Sequence, residues 1–416
     1  MLKRIGGFGF PLLFALPVAG FFASLCNIRS KSSAFVYVAF AMLFGYAISF
    51  SDPSADSYRY AEAFQRFDNT LNYNTIVQLY RNGELRDMYR LLLFYFVSLF
   101  SSNPKVVYAC AGLVYGIFSY LSLLIFVRER GNKWDKYTLA LALVFFTYIS
   151  LASINGFRFN TGALVLFYST YQFIIKRKTI WVFGILITPL FHYGIILMIP
   201  VILFYKLVER LLYTKDEVKS ILFYAFILAF IASWILGANS INLSFLSQAD
   251  VLSGAVGARM NYINSSEVAN LVENRGESSL FLGIQKYFGY GIKIYVFVVI
   301  LFLRKLLNRA KKDKIEFSRL FAFVLFFYSV AFIASSIPSG GRFLNIGHLF
   351  MILLLGRCYA VYKGEDIRKL ILWALPVFSF NIAFINFMLP FLILSPTIWY
   401  GNLFWIIIEG LDFYLS

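Results

Sequence analysis

The chain has 416 residues, of which 60% are hydrophobic and 14% are charged. Soluble globular proteins are roughly 45–50% apolar and about 25% charged, so this composition lies outside that class. It also excludes a DNA-binding protein, a disordered chain and a disulfide-stapled secreted module. Lys and Arg number 38 against 21 Asp and Glu, for a formal charge of +17. In a membrane protein this surplus reflects retention of basic residues on the cytoplasmic side, so no nucleic-acid partner is expected.

Apolar stretches of bilayer length recur along the chain. A transmembrane helix needs about 20 apolar residues, and this length predicts spans at residues 5–26, 34–50, 104–127, 137–153, 159–175, 219–237, 284–303, 317–336, 342–360, 369–388 and 397–412. The first stretch imitates a signal peptide but is long enough to be a retained span. We therefore predict an all-α polytopic integral membrane protein, a single domain over residues 1–416 with about 11–13 transmembrane helices.

Two apolar segments do not fit this length. Residues 88–101 are too short to cross, which favours a helix at the membrane interface. Residues 179–206 are too long for one straight span and contain Pro189 and then His192. This pattern predicts two half-helices that meet in a kink. Broken helices at membrane depth need protein or a water-filled cavity to satisfy their backbone, so a cavity is expected near residues 188–194.

Sidedness follows from the basic residues. If the N-terminus is outside and residues 88–101 do not cross, 24 of the 38 Lys and Arg residues lie in cytoplasmic loops, as the positive-inside rule requires. Two large loops then face the periplasm: residues 51–103, with the interfacial helix, and residues 238–283. Loops of this length are usually functional or disordered.

Two arginines are exceptions to the positive-inside rule, because this orientation places them on the outer side of the membrane. Arg158 lies in a tight turn between two spans, and Arg342 opens a span after Gly340 and Gly341, which leave room for a ligand. Charge at membrane depth is expensive and marks a functional site by default. The alternative is that each side chain reaches out to lipid phosphate.

Both histidines lie on apolar spans. His192 falls at the predicted kink, and a neutral imidazole can accept a proton near neutral pH. His192 is therefore a candidate general base, whereas His348, roughly 9 Å along the helix from Arg342, and Tyr193 are expected to support the site. A satisfied packing role stays open for either histidine.

The outer loops supply further candidates. Asp56, Tyr58, Arg59 and Tyr60 follow directly after a span, where Asp56 is a second candidate for catalysis and the other three can contact a ligand. Tyrosines also occur in aromatic belts without function, and Asp56 with Arg59 can form a surface ion pair. In the second loop, Arg259 and Arg275 can bind an oxyanion through two hydrogen bonds or pair with nearby glutamates.

Several motifs are absent from the sequence. It contains no paired carboxylates of the Asp-x-Asp type, no P-loop and no His-Glu-x-x-His motif. We therefore expect neither a metal nor a cofactor.

These features together resemble a known family. The outer Asp-x-Tyr after the second span, Arg158 opening a span, Phe191-His192 in a broken helix and the late Arg342 are similar to the EpsG-like, Wzy-type polymerases of O-antigen and exopolysaccharide repeat units. Two positions depart from the family pattern. Family members often read Ile-Arg-Gln where this chain has Phe157-Arg158-Phe159, and Phe-His-Ser where it has Phe191-His192-Tyr193.

The resemblance implies a metal-independent, GT-C-like glycosyltransferase in the bacterial inner membrane. Such an enzyme moves a growing glycan from undecaprenyl pyrophosphate onto a lipid-linked repeat unit at the periplasmic face. Arg158 and Arg342 would bind pyrophosphate with help from Arg259 or Arg275, and Tyr58, Arg59 and Tyr60 would contact glycan. His192 or Asp56 would be the base. Its partners would be the undecaprenyl-pyrophosphate-linked oligosaccharide, membrane lipids, a chain-length regulator and a flippase.

Other functions fit the same pattern. An O-antigen ligase also uses outer arginines and a histidine with a large outer loop. A lipid-linked oligosaccharide flippase would need charged residues in the middle of several spans, where Lys293 is the main candidate. A membrane acyltransferase would place its histidine near the acyl donor.

Overall fold

A computed structural model describes residues 7–53, 55–67, 72, 74–75, 77–78, 87–130, 134–236, 280–309, 314–337, 340–362 and 364–411. These residues are helical apart from their connections and one isolated β-bridge between Ile48 and Leu394. The predicted all-α polytopic membrane fold is confirmed.

The first half of the chain forms α1 (Gly9–Ala15), α2 (Pro17–Leu25), α3 (Lys31–Tyr46), α4 (Asp56–Phe67), α5 (Met88–Ser98), α6 (Pro104–Glu129) and α7 (Lys136–Tyr148). A 3₁₀ turn (Leu151–Gly156) then leads into α8 (Phe157–Thr170), which ends in a π-helical turn (Tyr171–Ile175). Next come α9 (Trp181–Leu186), α10 (Thr188–Phe191), a second 3₁₀ turn (Tyr193–Leu197) and α11 (Met198–Thr214).

The second half forms α12 (Asp216–Ile235), α13 (Leu280–Arg309), α14 (Lys314–Ala334), α15 (Arg342–Tyr362) and α16 (Glu365–Asn381). A π-helix (Ile382–Met388) continues α16 and is followed by α17 (Leu389–Ile393), α18 (Thr397–Tyr400) and α19 (Leu403–Leu411).

Seven helical stretches among the described residues are long and apolar enough to span a membrane: Pro104–Glu129, Lys136–Ile175, Asp216–Ile235, Gly283–Leu306, Glu316–Ala334, Arg342–Tyr362 and Glu365–Ile393. Three predicted full spans are shorter helices instead. Residues 5–26 break between α1 and α2 at Leu16, because Pro17 cannot continue the preceding helix. The helix predicted over residues 34–50 ends at Tyr46. The helix predicted over residues 397–412 is interrupted at Gly401, so two short helices form there.

The stretch from Lys136 to Ile175 crosses twice. Near its start, the Tyr359 hydroxyl donates a hydrogen bond to Asp135 at 2.5 Å. Near its end, the Tyr171 hydroxyl donates a hydrogen bond to Glu129. Glu129 also accepts from Arg357, two residues before Tyr359. Both ends of the stretch therefore lie at the same end of the molecule, and the chain reverses at the 3₁₀ turn, as the two predicted spans require.

Helices α3 and α6 pack with their backbones in close contact. A Cβ atom at Gly45 would lie 2.1 Å from the Tyr108 carbonyl oxygen, and one at Gly112 would lie 2.4 Å from that of Ala41. Only glycine permits this approach. The contact places the buried ring of Tyr108 against Phe157, at 5.5 Å between centroids, which supports the first turn of α8.

Two carboxylates, those of Glu129 and the buried Glu209, bind basic residues at one end of the helices. Glu129 binds Lys176 and Arg357. Glu209 accepts from Lys206 at 2.7 Å and lies 3.1 Å from Arg319 Nε. These basic residues come from segments separated in sequence, so the ion pairs bring them together at one end of the helices.

Candidate functional site

A polar cavity of about 210 Å³ opens at the other end of the helices. It is lined by Asp56, Tyr60, Gly156, Arg158, Phe159, Asn160, His192, Arg342 and Asn345. We call it the cationic cavity. Five residues singled out in the sequence come together here from α4, α8, the break after α10, and α15.

Arg158 is held on the first turn of α8 by two partners. Its Nε donates to the Tyr60 hydroxyl at 2.6 Å, and its Nη1 donates to Asp87 Oδ2 at 2.5 Å. The guanidinium carbon also lies 4.7 Å from the centre of the Tyr60 ring. The guanidinium is therefore fixed in orientation and its charge is neutralised from one side.

Asp87 is a site residue that the sequence analysis missed. Its side chain is only 5% exposed, and its Oδ1 accepts from the backbone N–H of Tyr193 at 3.0 Å. One carboxylate thus joins α5 to α8 and to the broken segment. Tyr193 takes part through its main chain. The signal available in the sequence was an acidic residue directly before an apolar helix.

Arg90, one turn into α5, was also missed. Its guanidinium carbon lies 5.2 Å from the Tyr60 ring, and its Nε is buried without a hydrogen-bond partner among the described residues. Burial raises the pKa of Tyr60 above its usual value of 10.0, while Arg158 and Arg90 oppose this rise. The Tyr60 phenol therefore stays neutral at physiological pH and keeps a proton to donate.

Asp56 begins α4 at the rim of the cavity. Its Oδ1 pairs with Arg59 at 2.5 Å, so the predicted surface ion pair is present. A Cβ atom at Gly156 would lie 3.4 Å from Asp56 Oδ2 and 3.6 Å from Asn160 Nδ2. The Asp56 carboxylate therefore lies close to the start of α8.

His192 lies in extended backbone between α10 and the second 3₁₀ turn. The helix is interrupted twice in this segment, at Ile187 and at His192, and Pro189 occupies the first turn of the short α10 between them, where the missing N–H of proline costs nothing. The predicted cavity is present at the second interruption. His192 Nδ1 accepts from the backbone N–H of Gly194 at 3.1 Å, so the neutral ring carries its proton on Nε2.

Arg342 opens α15 and is exposed toward the cavity. Its guanidinium carbon lies 5.5 Å from the Phe159 ring, and the same ring meets His192 edge-on at 5.3 Å. Within the part of the chain that the structure describes, Arg342 forms no ion pair. A Cβ atom at Gly341 would meet nothing within 4 Å, in line with the predicted room for a ligand. For Gly340 the prediction is wrong, because a Cβ atom there would overlap the Ala334 carbonyl oxygen, so this glycine permits a close backbone contact instead.

The charges around the cavity favour an anion. Among the described residues in and beside the cavity there are four arginines and two carboxylates: Arg59, Arg90, Arg158 and Arg342 with Asp56 and Asp87. Guanidinium groups bind carboxylate and phosphate oxygens through paired hydrogen bonds. The described residues contain no cluster of three His, Cys, Asp or Glu side chains that could hold a metal ion.

A match to the EpsG family extends over residues 33–395, which include every residue that lines the cationic cavity. The chain belongs to the EpsG family. This family is one of Wzy-like, glycosyltransferase-type polysaccharide polymerases. No curated protein and no solved structure matches the chain.

Other predicted residues lie apart from the cavity of this EpsG family member. Tyr58 packs on the hydrophobic core, and Arg59 reaches the rim only through Asp56. His348 is buried below the cavity, where its Nδ1 lies 2.7 Å from the Tyr328 hydroxyl among aromatic rings. Arg259 and Arg275 lie outside the described residues, as does nearly all of loop 238–283.

Proposed function

We propose that this chain polymerises lipid-linked oligosaccharides at the periplasmic face of the bacterial inner membrane. A growing glycan is transferred from undecaprenyl pyrophosphate onto a second lipid-linked repeat unit. The observation that carries this proposal is the cationic cavity, in which Arg342 is unpaired among the described residues beside the neutralised Arg158. Its place opposite the basic loops supports a periplasmic site.

The leaving group is a pyrophosphate, and the cavity offers cations and donors for it. Arg342 supplies an uncompensated charge, Arg158 a fixed guanidinium, and Tyr60 a neutral hydroxyl. Donors that are already oriented stabilise developing negative charge without reorganisation.

His192 acts as a donor in this proposal, which revises its expected role as the base. Since Nδ1 is occupied by the Gly194 N–H, the neutral imidazole has its proton on Nε2 and cannot accept another there. An Nε2–H group in a cationic cavity suits a pyrophosphate oxygen. The base is then Asp56, whose carboxylate lies at the rim beside Gly156.

The proposed glycosyl transfer is a displacement at the anomeric carbon of the donor sugar. An acceptor hydroxyl oxygen forms the new glycosidic bond while the bond from the anomeric carbon to the pyrophosphate oxygen breaks. Undecaprenyl pyrophosphate leaves with the electron pair, and Asp56 takes the hydroxyl proton. No nucleotide is consumed.

The test is reconstitution of purified protein with undecaprenyl-pyrophosphate-linked repeat units. We expect a ladder of longer glycans with no added nucleotide or metal. Transfer of glycan to a lipid A core acceptor without a ladder would indicate a ligase. Movement of the lipid across the bilayer without any new glycosidic bond would indicate a flippase.

A further inference from the structure

A second cavity of about 390 Å³ adjoins the cationic cavity. The two share a wall formed by Gly156, Phe159, Asn160 and Asn345. No charged side chain is among the described residues that line the second cavity, so its chemistry differs from that of its neighbour.

Its polar lining consists largely of carboxamides, contributed by Asn155, Asn160, Gln285, Asn345 and Asn381. We call it the amide cavity. Each carboxamide offers one acceptor and two donors, which match the hydroxyls of a sugar. Asn155 and Asn160 are held in place by hydrogen bonds, from the Ser57 N–H to Asn155 Oδ1 and from Asn160 Nδ2 to the Ser153 carbonyl.

Aromatic rings complete the lining. Tyr148, Phe380 and Phe384 contribute flat apolar faces of the kind that pack on sugar rings. The Tyr148 hydroxyl is buried and lies close to the Asn381 carboxamide. These two polar groups therefore belong to the same part of the lining.

A π-helix shapes this wall. Residues Ile382–Met388 follow Asn381 directly and carry Phe384. A π-helical turn is rare and is found mostly at functional sites. Here it widens the helix opposite α8.

We propose that the amide cavity binds a neutral sugar ring of the lipid-linked oligosaccharide. This inference rests on the proposed function. The sugar ring would lie next to the pyrophosphate pocket, and Asp56, which lines that pocket, would lie near the shared wall at Gly156. This sugar ring belongs either to the donor glycan or to the acceptor repeat unit.

The test compares Asn381→Ala with Asn386→Ala in the purified full-length protein. Asn386 lies five residues along the same segment, bonds to Leu143 and Thr147, and does not line the amide cavity. We expect Asn381→Ala to raise the KM for the lipid-linked repeat unit about tenfold, as for the loss of one or two hydrogen bonds. Inhibition by sugar-free undecaprenyl pyrophosphate should not change, and Asn386→Ala should leave both quantities as in the wild type.

Two substrates distinguish the source of the sugar. A repeat unit blocked at its terminal hydroxyl can only donate, and one carried on a non-cleavable phosphonate can only accept. If Asn381→Ala raises the KM for only one of these two substrates, the amide cavity is a sugar site, and that substrate shows whether the donor ring or the acceptor ring binds there. If Asn381→Ala equally weakens undecaprenyl pyrophosphate, the cavity holds lipid and the inference is wrong.

An unchanged KM in Asn381→Ala, with a normal ladder in the wild type, would also overturn the inference while leaving the proposed function intact. Absence of a ladder in the wild type would instead refute the proposed function.

Discussion

Asp87 binds Arg158 at 2.5 Å and the backbone of Tyr193 at 3.0 Å, so one buried carboxylate fixes both the arginine of the cationic cavity and the segment that carries His192. This arrangement couples the position of the two groups. A charged pair at such a place is costly to break, because removing one partner leaves the other charge poorly solvated.

We predict that Asp87→Asn destabilises the protein and abolishes polymerisation. The variant leaves Arg158 without its counter-charge, at a cost of about 3–5 kcal/mol. Thermal unfolding in detergent, together with the ladder assay, measures both effects. Asp216→Asn is the matched control, since that carboxylate is 96% exposed and pairs with Lys219 at the opposite end. Equal unfolding temperatures for the two variants would refute the structural role of Asp87.

The donor role of His192 predicts a difference between two substitutions. Glutamine has an N–H group that can replace Nε2–H, so His192→Gln should retain activity within about tenfold, whereas His192→Ala should lose about a hundredfold. The kcat of each purified variant gives the comparison. If both variants are equally inactive, His192 does not act as a hydrogen-bond donor and is again the candidate general base.

Asp56→Asn tests the proposed base. We expect kcat to fall by about 10²–10⁴, the usual contribution of general base catalysis, with little change in unfolding temperature because the side chain is partly exposed at the rim. Glu62→Gln is the control on the same helix, where the carboxylate pairs with Arg66 away from the cavity. Wild-type kcat in Asp56→Asn would exclude Asp56 as the base.

Orientation in the membrane can be measured by cysteine labelling. Ser102 is exposed at the end that carries the cationic cavity, and Lys215 is exposed at the end with the basic loops. A membrane-impermeant maleimide should label Ser102→Cys from the periplasm and should label Lys215→Cys only after the inner membrane is permeabilised. The reverse pattern would place the cavity in the cytoplasm.

The sequence was sufficient to find the charged residues of the cavity but not their partners. Arg158 and Arg342 stand out because they open apolar spans, where charge is expensive. Asp87 and Arg90 lie before and within a short apolar helix, and nothing local shows that α5 packs over α8. Their role depends on contacts across 71 and 30 residues of sequence, between Asp87 and Arg158 and between Arg90 and Tyr60.

Helix breaks were predicted in part. The length of segment 179–206 revealed that it could not be one straight span, and the structure interrupts it at Ile187, next to Pro189, and again at His192. At the N-terminus, length alone predicted one span where Pro17 divides two helices. Hydropathy reports how much apolar chain is present, whereas the position of a break depends on which backbone groups find partners.

The most direct test of the pyrophosphate site compares Arg342→Ala with Arg66→Ala in the ladder assay. Arg342 lines the cavity and forms no ion pair among the described residues, while Arg66 is 72% exposed and pairs with Glu62 away from the cavity. We predict that Arg342→Ala folds normally but loses about 10²–10³ in kcat, the effect of removing one preorganised donor. Arg66→Ala should retain most of its activity. A full ladder from Arg342→Ala would contradict the assignment of the cationic cavity as the pyrophosphate site.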